Sequence, residues 1–247
     1  MLKRSRPRPG RGINRLHVPI ARLLKLSLRD YPGKLCSKVY VYGCNFRCPY
    51  CPDTDLIHNQ QGGSKVLESD VYDHLYRVRG YVTGLCIGGG EPTLHNGLLG
   101  FIYRVKSLGH DVKLDTNGTR PKRINKLMEE RLIDYVSMEI KAPLERYPEV
   151  VMSKVDMDSV RQSIRILRRG SLDYEFTATM IPSLLDGNDL ENIAQYLIGS
   201  KRFAVQQLNL PGRHCPELED MDRYSLNEMK AFRDRVAPYF GSCVLRT

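Results

Sequence analysis

The chain has 247 residues, 41% of them hydrophobic and 27% charged, with a formal net charge of +10. This composition suits one globular domain with a substantial core. It excludes an integral membrane protein, since no stretch approaches the ~20 consecutive apolar residues that a span requires.

The first fifteen residues concentrate Lys3, Arg4, Arg6, Arg8, Arg11 and Arg15 among Pro7, Pro9, Gly10 and Gly12. Residues 1–20 are therefore expected to form a basic, disordered arm, with residues 21–247 as the folded domain. The arm reads as a solubilising tail, or alternatively as a tether to nucleic acid or an acidic partner. It lacks the apolar segment and cleavage site of a secretory signal, so a cytoplasmic location is expected. In that reducing compartment the seven cysteines point to metal binding or buried free thiols, not to a disulfide framework. Cys36, Cys86, Cys215 and Cys243 are scattered and read as buried small hydrophobes.

After the arm, short β-branched runs alternate with amphipathic stretches, the pattern of an α/β fold with parallel strands. The first predicted strand, 38–42, runs into Gly43-Cys44-Asn45-Phe46-Arg47-Cys48-Pro49-Tyr50-Cys51. Three thiols thus share a short loop at the end of a strand, where α/β folds place their ligands. Three close cysteines can ligate three irons of a cubane and leave the fourth open to chelate a substrate. A structural zinc site is the competing reading; it normally closes with four ligands, for which His58 and Cys215 are candidates.

A helix with the stripe Val71, Leu75 and Val78 leads to the second strand, 84–88. That strand ends in Gly88-Gly89-Gly90-Glu91-Pro92-Thr93. Glycines let backbone approach a ligand closely, and Glu91 offers a carboxylate beside exposed carbonyls, a combination suited to an ammonium group. Taken alone, the triplet is an ordinary strand-to-helix turn. A helix carrying Leu98, Ile102 and Val105 precedes the third strand, 111–115, which ends in Asp115-Thr116-Asn117-Gly118. This tetrapeptide reads as an Asx-type turn before a helix with Pro121 in its first turn.

The fourth strand, 135–140, brings Glu139 and Lys141 to the same side, because they are two residues apart. An ion pair at a strand end is the plain reading; facing a barrel interior, however, such a pair would be costly without partners, which favours a functional one. A helix with Val160, Ile164 and Leu167, the fifth strand 174–180, a helix with Leu190, Ile193 and Leu197, and the sixth strand 204–210 follow. Alternate residues of that last strand face inward, so Gln207 with Asn209 form one candidate set and Gln206 the other. A final helix opens on a capping box, Ser225 with Glu228. Six β/α units are fewer than the eight that close a barrel. The expectation is a partial (β/α)6 barrel with parallel strands, although periodicity alone does not separate it from a doubly wound sheet.

These motifs resemble the radical S-adenosylmethionine superfamily, whose CxxxCxxC signature, with an aromatic residue before the last cysteine, is met by Cys44, Cys48, Tyr50 and Cys51. Within it the chain is similar to activating enzymes of glycyl radical proteins, particularly the anaerobic ribonucleoside-triphosphate reductase type. That likeness rests on Ser-Leu-Arg-Asp-Tyr-Pro-Gly-Lys at 27–34, the cysteine loop, Gly-Gly-Glu-Pro-Thr-Leu at 89–94, Asp-Thr-Asn-Gly at 115–118 and Ile-Lys-Ala-Pro-Leu at 140–144.

The resemblance implies a [4Fe–4S] cluster on Cys44, Cys48 and Cys51, with Tyr50 in the cofactor site. It implies S-adenosylmethionine with its amino group at Gly89, Gly90 and Glu91, and its carboxylate near Asp115, through a bound monovalent cation, and near Glu139 and Lys141. Gln207 and Asn209 would lie near the ribose. The implied activity is reductive cleavage of the cofactor to a 5′-deoxyadenosyl radical, with reduced ferredoxin or flavodoxin as electron donor and a backbone glycine of a glycyl radical protein as hydrogen source. Two departures stand out: Glu139 replaces the more usual Asp, and Pro52-Asp53 replaces the His-Asn that commonly follows the third cysteine. The alternatives are a small-molecule or nucleobase-precursor substrate, as in 7-carboxy-7-deazaguanine synthases, and a zinc-stabilised protein that binds nucleic acid through the arm.

Overall fold

The computed structural model describes residues 17–58, 65–208 and 221–247. Most of the expected basic arm, together with Asn209 and Cys215, lies outside the described residues.

Among the described residues, eight strands form a single sheet in the order β1 (Ile20–Ser27), β2 (Cys36–Val41), β3 (Gly84–Gly89), β4 (Asp111–Thr116), β5 (Tyr135–Glu139), β6 (Asp173–Met180), β7 (Arg202–Gln207) and β8 (Ser242–Arg246). Strands β2 to β8 are parallel, and β1 pairs antiparallel with β2. The eight helices are α1 (Thr54–His58), α2 (Glu68–Val78), α3 (Leu98–Ser107), α4 (Pro121–Glu129), α5 (Tyr147–Val150), α6 (Met157–Arg169), α7 (Gly187–Tyr196) and α8 (Leu226–Val236) among the described residues. None is long and apolar enough to cross a membrane.

Spatial order follows chain order without reversal, so the sheet has no topological switch point of the doubly wound kind. Right-handed crossovers of one sense place the connecting helices on one face and curve the sheet into a partial barrel. The six predicted strands correspond to β2–β7. The structure adds β1 at one edge and β8 at the other.

Two-residue alternation along each strand separates the faces. Val39 and Val41 of β2, Leu85 and Ile87 of β3, and Val112 and Leu114 of β4 are fully buried, and they join Leu75, Phe101, Ile102, Ile124, Leu127, Ile164 and Leu167 in one core between sheet and helices. Each such side chain contributes about 1.5–3 kcal/mol of burial. The other face carries Lys38, Tyr40, Cys86, Lys113, Asp115, Glu139, Glu175, Thr179, Gln206 and Arg246. The inside of the barrel is therefore polar.

Capping chemistry ends the elements where the sequence suggests. Ser225 caps α8 and receives the N–H of Glu228, whose carboxylate accepts from the Ser225 N–H at 2.7 Å. Asp156 caps α6, and Pro121 occupies the first turn of α4. Cys36 and Cys86 are fully buried, as expected for small hydrophobes, while Cys243 is half-buried.

Candidate active site

Strand β2 ends at Val41, and the chain turns at Gly43, whose φ of +84° is in the left-handed region that favours glycine. The cysteine loop that follows is pinned by backbone bonds from Gly43 N–H to Leu56 O (2.8 Å), Arg47 N–H to Val151 O (2.9 Å) and Cys51 N–H to Cys48 O (3.1 Å). The Arg47 guanidinium braces it from outside, donating to the carbonyls of Cys44 (2.8 Å) and Phe46 (2.7 Å). The Phe46 N–H points at Cys44 Sγ, 3.4 Å away.

Burial pushes up the thiols of Cys44 and Cys48, and pushes that of Cys51 up to about 12; the Lys141 ammonium pulls all three the other way. The thiolate form needed for metal binding therefore depends on positive charge brought by a bound group.

The glycine turn after β3 is laid directly against this loop. Gly90 N–H donates to Val41 O at 2.9 Å, and Glu91 N–H to Gly43 O at 2.7 Å. A Cβ on Gly90 would stand 2.1 Å from Gly43 O, and Gly89 has φ +93°. No other residue type lets the two backbones meet so closely. Gly89 and Gly90 are half-buried, whereas Glu91 is 1% exposed.

The Glu91 carboxylate accepts from Thr93 N–H (3.0 Å), the Thr93 hydroxyl, the Thr116 hydroxyl (2.8 Å) and Asn117 N–H (2.7 Å). These bonds tie the turn after β3 to the turn after β4; Oε1 takes three of them and Oε2 one, and the contact of Glu91 with an ammonium group stays an expectation. Asn117 continues the tie, donating to Asn45 Oδ1 at 2.9 Å and lying 4.0 Å from Cys44 Sγ.

Lys141 and Glu139 form an ion pair at 2.5 Å, and Glu139 also accepts from the Thr179 hydroxyl at 2.8 Å. Burial alone would lower the Lys141 ammonium, but Glu139 outweighs it and holds the group well above its ordinary value. Lys141 Nζ lies 5.3 Å from the centre of the Tyr50 ring, a cation–π contact under the cysteine loop. The Tyr50 hydroxyl is buried, and its hydrogen bond to the Cys48 thiol favours the thiolate.

Deeper in the barrel, Asp115 pairs with Lys113 and with Lys38 (3.4 Å), and accepts from the Cys86 thiol at 3.2 Å. Burial would raise its carboxyl, yet Lys113 and Lys38 prevail and hold it at about 2. Asp115 is thus bound to two lysines and Glu139 to a third, and the monovalent cation stays an expectation. Further round, Arg246 pairs with Glu175 at 2.6 Å.

Gln207 and Gln206 face opposite ways. The Gln207 amide donates outward to Tyr224 O at 2.5 Å, while Gln206 faces the barrel, near Thr179 Oγ1 (3.4 Å) and Arg246 (3.3 Å). Gln207's intended companion Asn209 lies outside the described residues. Asp53, the odd residue after the third cysteine, pairs with Arg22 of β1 and so fastens the loop exit to the edge strand. Arg22, Asn45, Asn117, Lys38 and Lys113 escaped the sequence reading. The one signal for the lysines was their place at alternate positions of apolar strands.

The residues fit an iron–sulfur group: three thiols share one loop, and a backbone cradle that a Cβ on Gly90 would fill lies against it. Among the described residues no three His, Cys, Asp or Glu side chains converge as one metal ion would require. A cubane takes each thiolate on a different iron and does not need that convergence.

Comparison with known proteins agrees with this geometry. The Radical SAM superfamily profile matches residues 39–197. The chain belongs to the radical SAM superfamily. A Methanocaldococcus jannaschii protein, provisionally named a glycyl-radical enzyme activating enzyme, is 30% identical over 92% of this chain and 95% of its own length. The 7-carboxy-7-deazaguanine synthase of Thermoplasma acidophilum is 24% identical over 64% of this chain and 77% of its own length. Among solved structures, Streptococcus suis SuiB bound to S-adenosylmethionine superposes with a TM-score of 0.64 at 15% identity, over 83% of this chain. This chain spans about half (48%) of SuiB, so the likeness is one of fold. Membership makes the protein a radical SAM enzyme and implies a [4Fe–4S] cluster and S-adenosylmethionine as its cofactors.

Proposed function

We propose that this radical SAM enzyme holds its cluster on Cys44, Cys48 and Cys51 and activates a glycyl radical protein, such as an anaerobic ribonucleoside-triphosphate reductase, by taking a hydrogen atom from a backbone glycine. The observation that carries the reading is the three-cysteine loop laid on the Gly89–Gly90 backbone at the C-terminal mouth of the barrel. When bound, a [4Fe–4S] group with one open iron supplies the low-potential electron that splits S-adenosylmethionine into methionine and a 5′-deoxyadenosyl radical.

The chain's own residues bind and orient. Gly89 and Gly90 present backbone to the methionyl ammonium, and Lys141, kept charged by Glu139, faces the methionyl carboxylate. Gln206 takes the ribose-side position, and Tyr50 supports the loop while helping to exclude water. A reduced ferredoxin or flavodoxin supplies the electron, in the cytoplasm.

Inside the barrel, Lys38 is matched by Asp30 (2.6 Å) and Asp115, Lys113 by Asp115, Lys141 by Glu139 and Arg246 by Glu175. The likeness to a provisionally named glycyl-radical enzyme activating enzyme over 92% of this chain supports a glycine loop, ahead of the pterin of the deazaguanine synthases, as the substrate.

The test is electron paramagnetic resonance after anaerobic mixing of the reconstituted enzyme, S-adenosylmethionine and a candidate glycyl radical protein. A glycyl radical signal supports the reading. Turnover of the pterin without that signal would move the assignment to the small-molecule class.

A further inference from the structure

Outside the barrel, the turns after β3 and β4 and the first turns of α4 and α6 enclose a surface cavity of about 480 Å³. Its lining includes Thr93, Thr119, Arg120, Lys122, Arg123 and Ser159. Arg120 and Lys122 are exposed, and no carboxylate among the described residues pairs with either of them or with Arg123, which donates to Asn96 Oδ1 at 3.0 Å. Elsewhere on the surface Arg146, Arg161 and Arg235 each have a carboxylate partner, while Arg77, Arg165 and Arg169 have none among the described residues, so it is the clustering of three such cations about one cavity that marks the rim. The nearest acids at the start of α6 are already engaged: Asp156 caps the helix, and Asp158 pairs with Arg161.

One hydrogen bond links the cavity wall to the cysteine loop. Thr119 in that wall accepts from the Asn45 amide at 3.1 Å, and Asn45 in turn accepts from Asn117 beside Cys44. Two residues on, the exposed Arg47 engages carbonyl oxygens and has no carboxylate partner among the described residues. Val151, which accepts the Arg47 N–H, is followed by Met152, 63% exposed. The cationic rim is thus tied through Thr119 and Asn45 to the loop that carries the three thiols.

We propose that this rim, centred on Arg120, Lys122 and Arg123, is the docking surface for an acidic one-electron carrier protein that reduces the site. The inference rests on the radical enzyme reading above. Each cleavage requires one electron: the carrier is oxidised by one, and the sulfonium carbon–sulfur bond accepts it, leaving the electron pair on methionine and the unpaired electron on carbon 5′. Complementary charge raises the encounter rate with an acidic carrier and makes it sensitive to salt. The cavity lining carries no aromatic side chain on which bases would stack, which argues against a nucleic acid strand as the occupant.

The test uses the full chain, reconstituted anaerobically, as wild type and as the double variant Arg120→Glu/Lys122→Glu. 5′-Deoxyadenosine formation is followed with dithionite and, separately, with reduced flavodoxin at rising KCl. The flavodoxin-driven rate should fall with salt in the wild type and drop about tenfold or more in the variant at low salt, while the dithionite-driven rate is unchanged. A variant with wild-type flavodoxin-driven activity overturns the proposal. If that variant also loses single-stranded RNA binding, the rim belongs to nucleic acid instead. Should both rates fall together, the milder Arg120→Gln/Lys122→Gln pair decides: a loss confined to flavodoxin supports docking, and none refutes it. Wild type that makes no 5′-deoxyadenosine with dithionite defeats the enzyme reading itself, a failure distinct from that of the docking site.

Discussion

Replacing Gly90 by Ala tests the contact on which the site is built. The added Cβ would sit 2.1 Å from Gly43 O, 2.7 Å from Gly43 C and 3.0 Å from Val41 O, all of them backbone atoms that cannot rotate away. Relief requires moving the segment that opens the cysteine loop, which strains the Glu91 N–H to Gly43 O and Gly43 N–H to Leu56 O bonds. Overpacking typically costs 1–3 kcal/mol, and a backbone clash belongs at the upper end, about 3 kcal/mol. For a domain of this size that lowers the melting temperature by roughly 6–12 °C. The assay pairs thermal unfolding of the apoprotein with iron content after reconstitution. Both should fall, and iron uptake should remain poor well below the melting temperature, because the displaced residue adjoins Cys44. Gly100→Ala is the control: nothing lies within 4 Å of its Cβ, it sits within α3, and it should be stabilising by up to about 1 kcal/mol. If Gly90→Ala melts with the wild type and takes up full iron, the cradle argument is wrong.

Other expectations follow from single interactions. Glu91→Ala removes the acceptor of four buried hydrogen bonds and should lower stability by about 3 kcal/mol in urea titrations; a loss under 1 kcal/mol would mean that the donors find other partners. Asp115 has a carboxyl depressed to about 2 by Lys113 and Lys38, so its stabilisation is present above pH ~4 and is lost as pH falls from there toward 2. That contribution is about 2 kcal/mol, and the wild-type and Asp115→Asn stability curves should converge in that window, with parallel curves refuting the assignment. Gln206→Ala should raise the KM for S-adenosylmethionine, whereas Gln207→Ala, which loses only the outward bond to Tyr224, should leave it within about twofold.

The strands and helices were legible because apolar positions repeat at two and at 3.6 residues in turn. Predicted 84–88 and 111–115, for example, match Gly84–Gly89 and Asp111–Thr116 to within a residue. Strand β1 was not legible: its pairing slips at two places, and Leu24 and Leu26 are exposed at the sheet edge, so no clean alternation is written into it. The cysteine loop and the glycine turn carry their chemistry in adjacent residues and were found. Lys38, Lys113, Glu175 and Arg246 were missed because a polar residue at alternate strand positions reads as solvent-facing until curvature turns that face inward. The same ambiguity of facing left Gln206 and Gln207 as alternative sets, and only three-dimensional packing reveals the hydrogen bonds that tie Glu91 to the turns after β3 and β4.

The most direct test of the central claim is product analysis of the anaerobically reconstituted protein with S-adenosylmethionine and dithionite, beside Cys48→Ala. The account predicts equal amounts of methionine and 5′-deoxyadenosine from the wild type, and from Cys48→Ala neither cluster absorbance nor product. Cleavage retained in Cys48→Ala, or none from wild-type protein carrying its full complement of iron and sulfide, would contradict it.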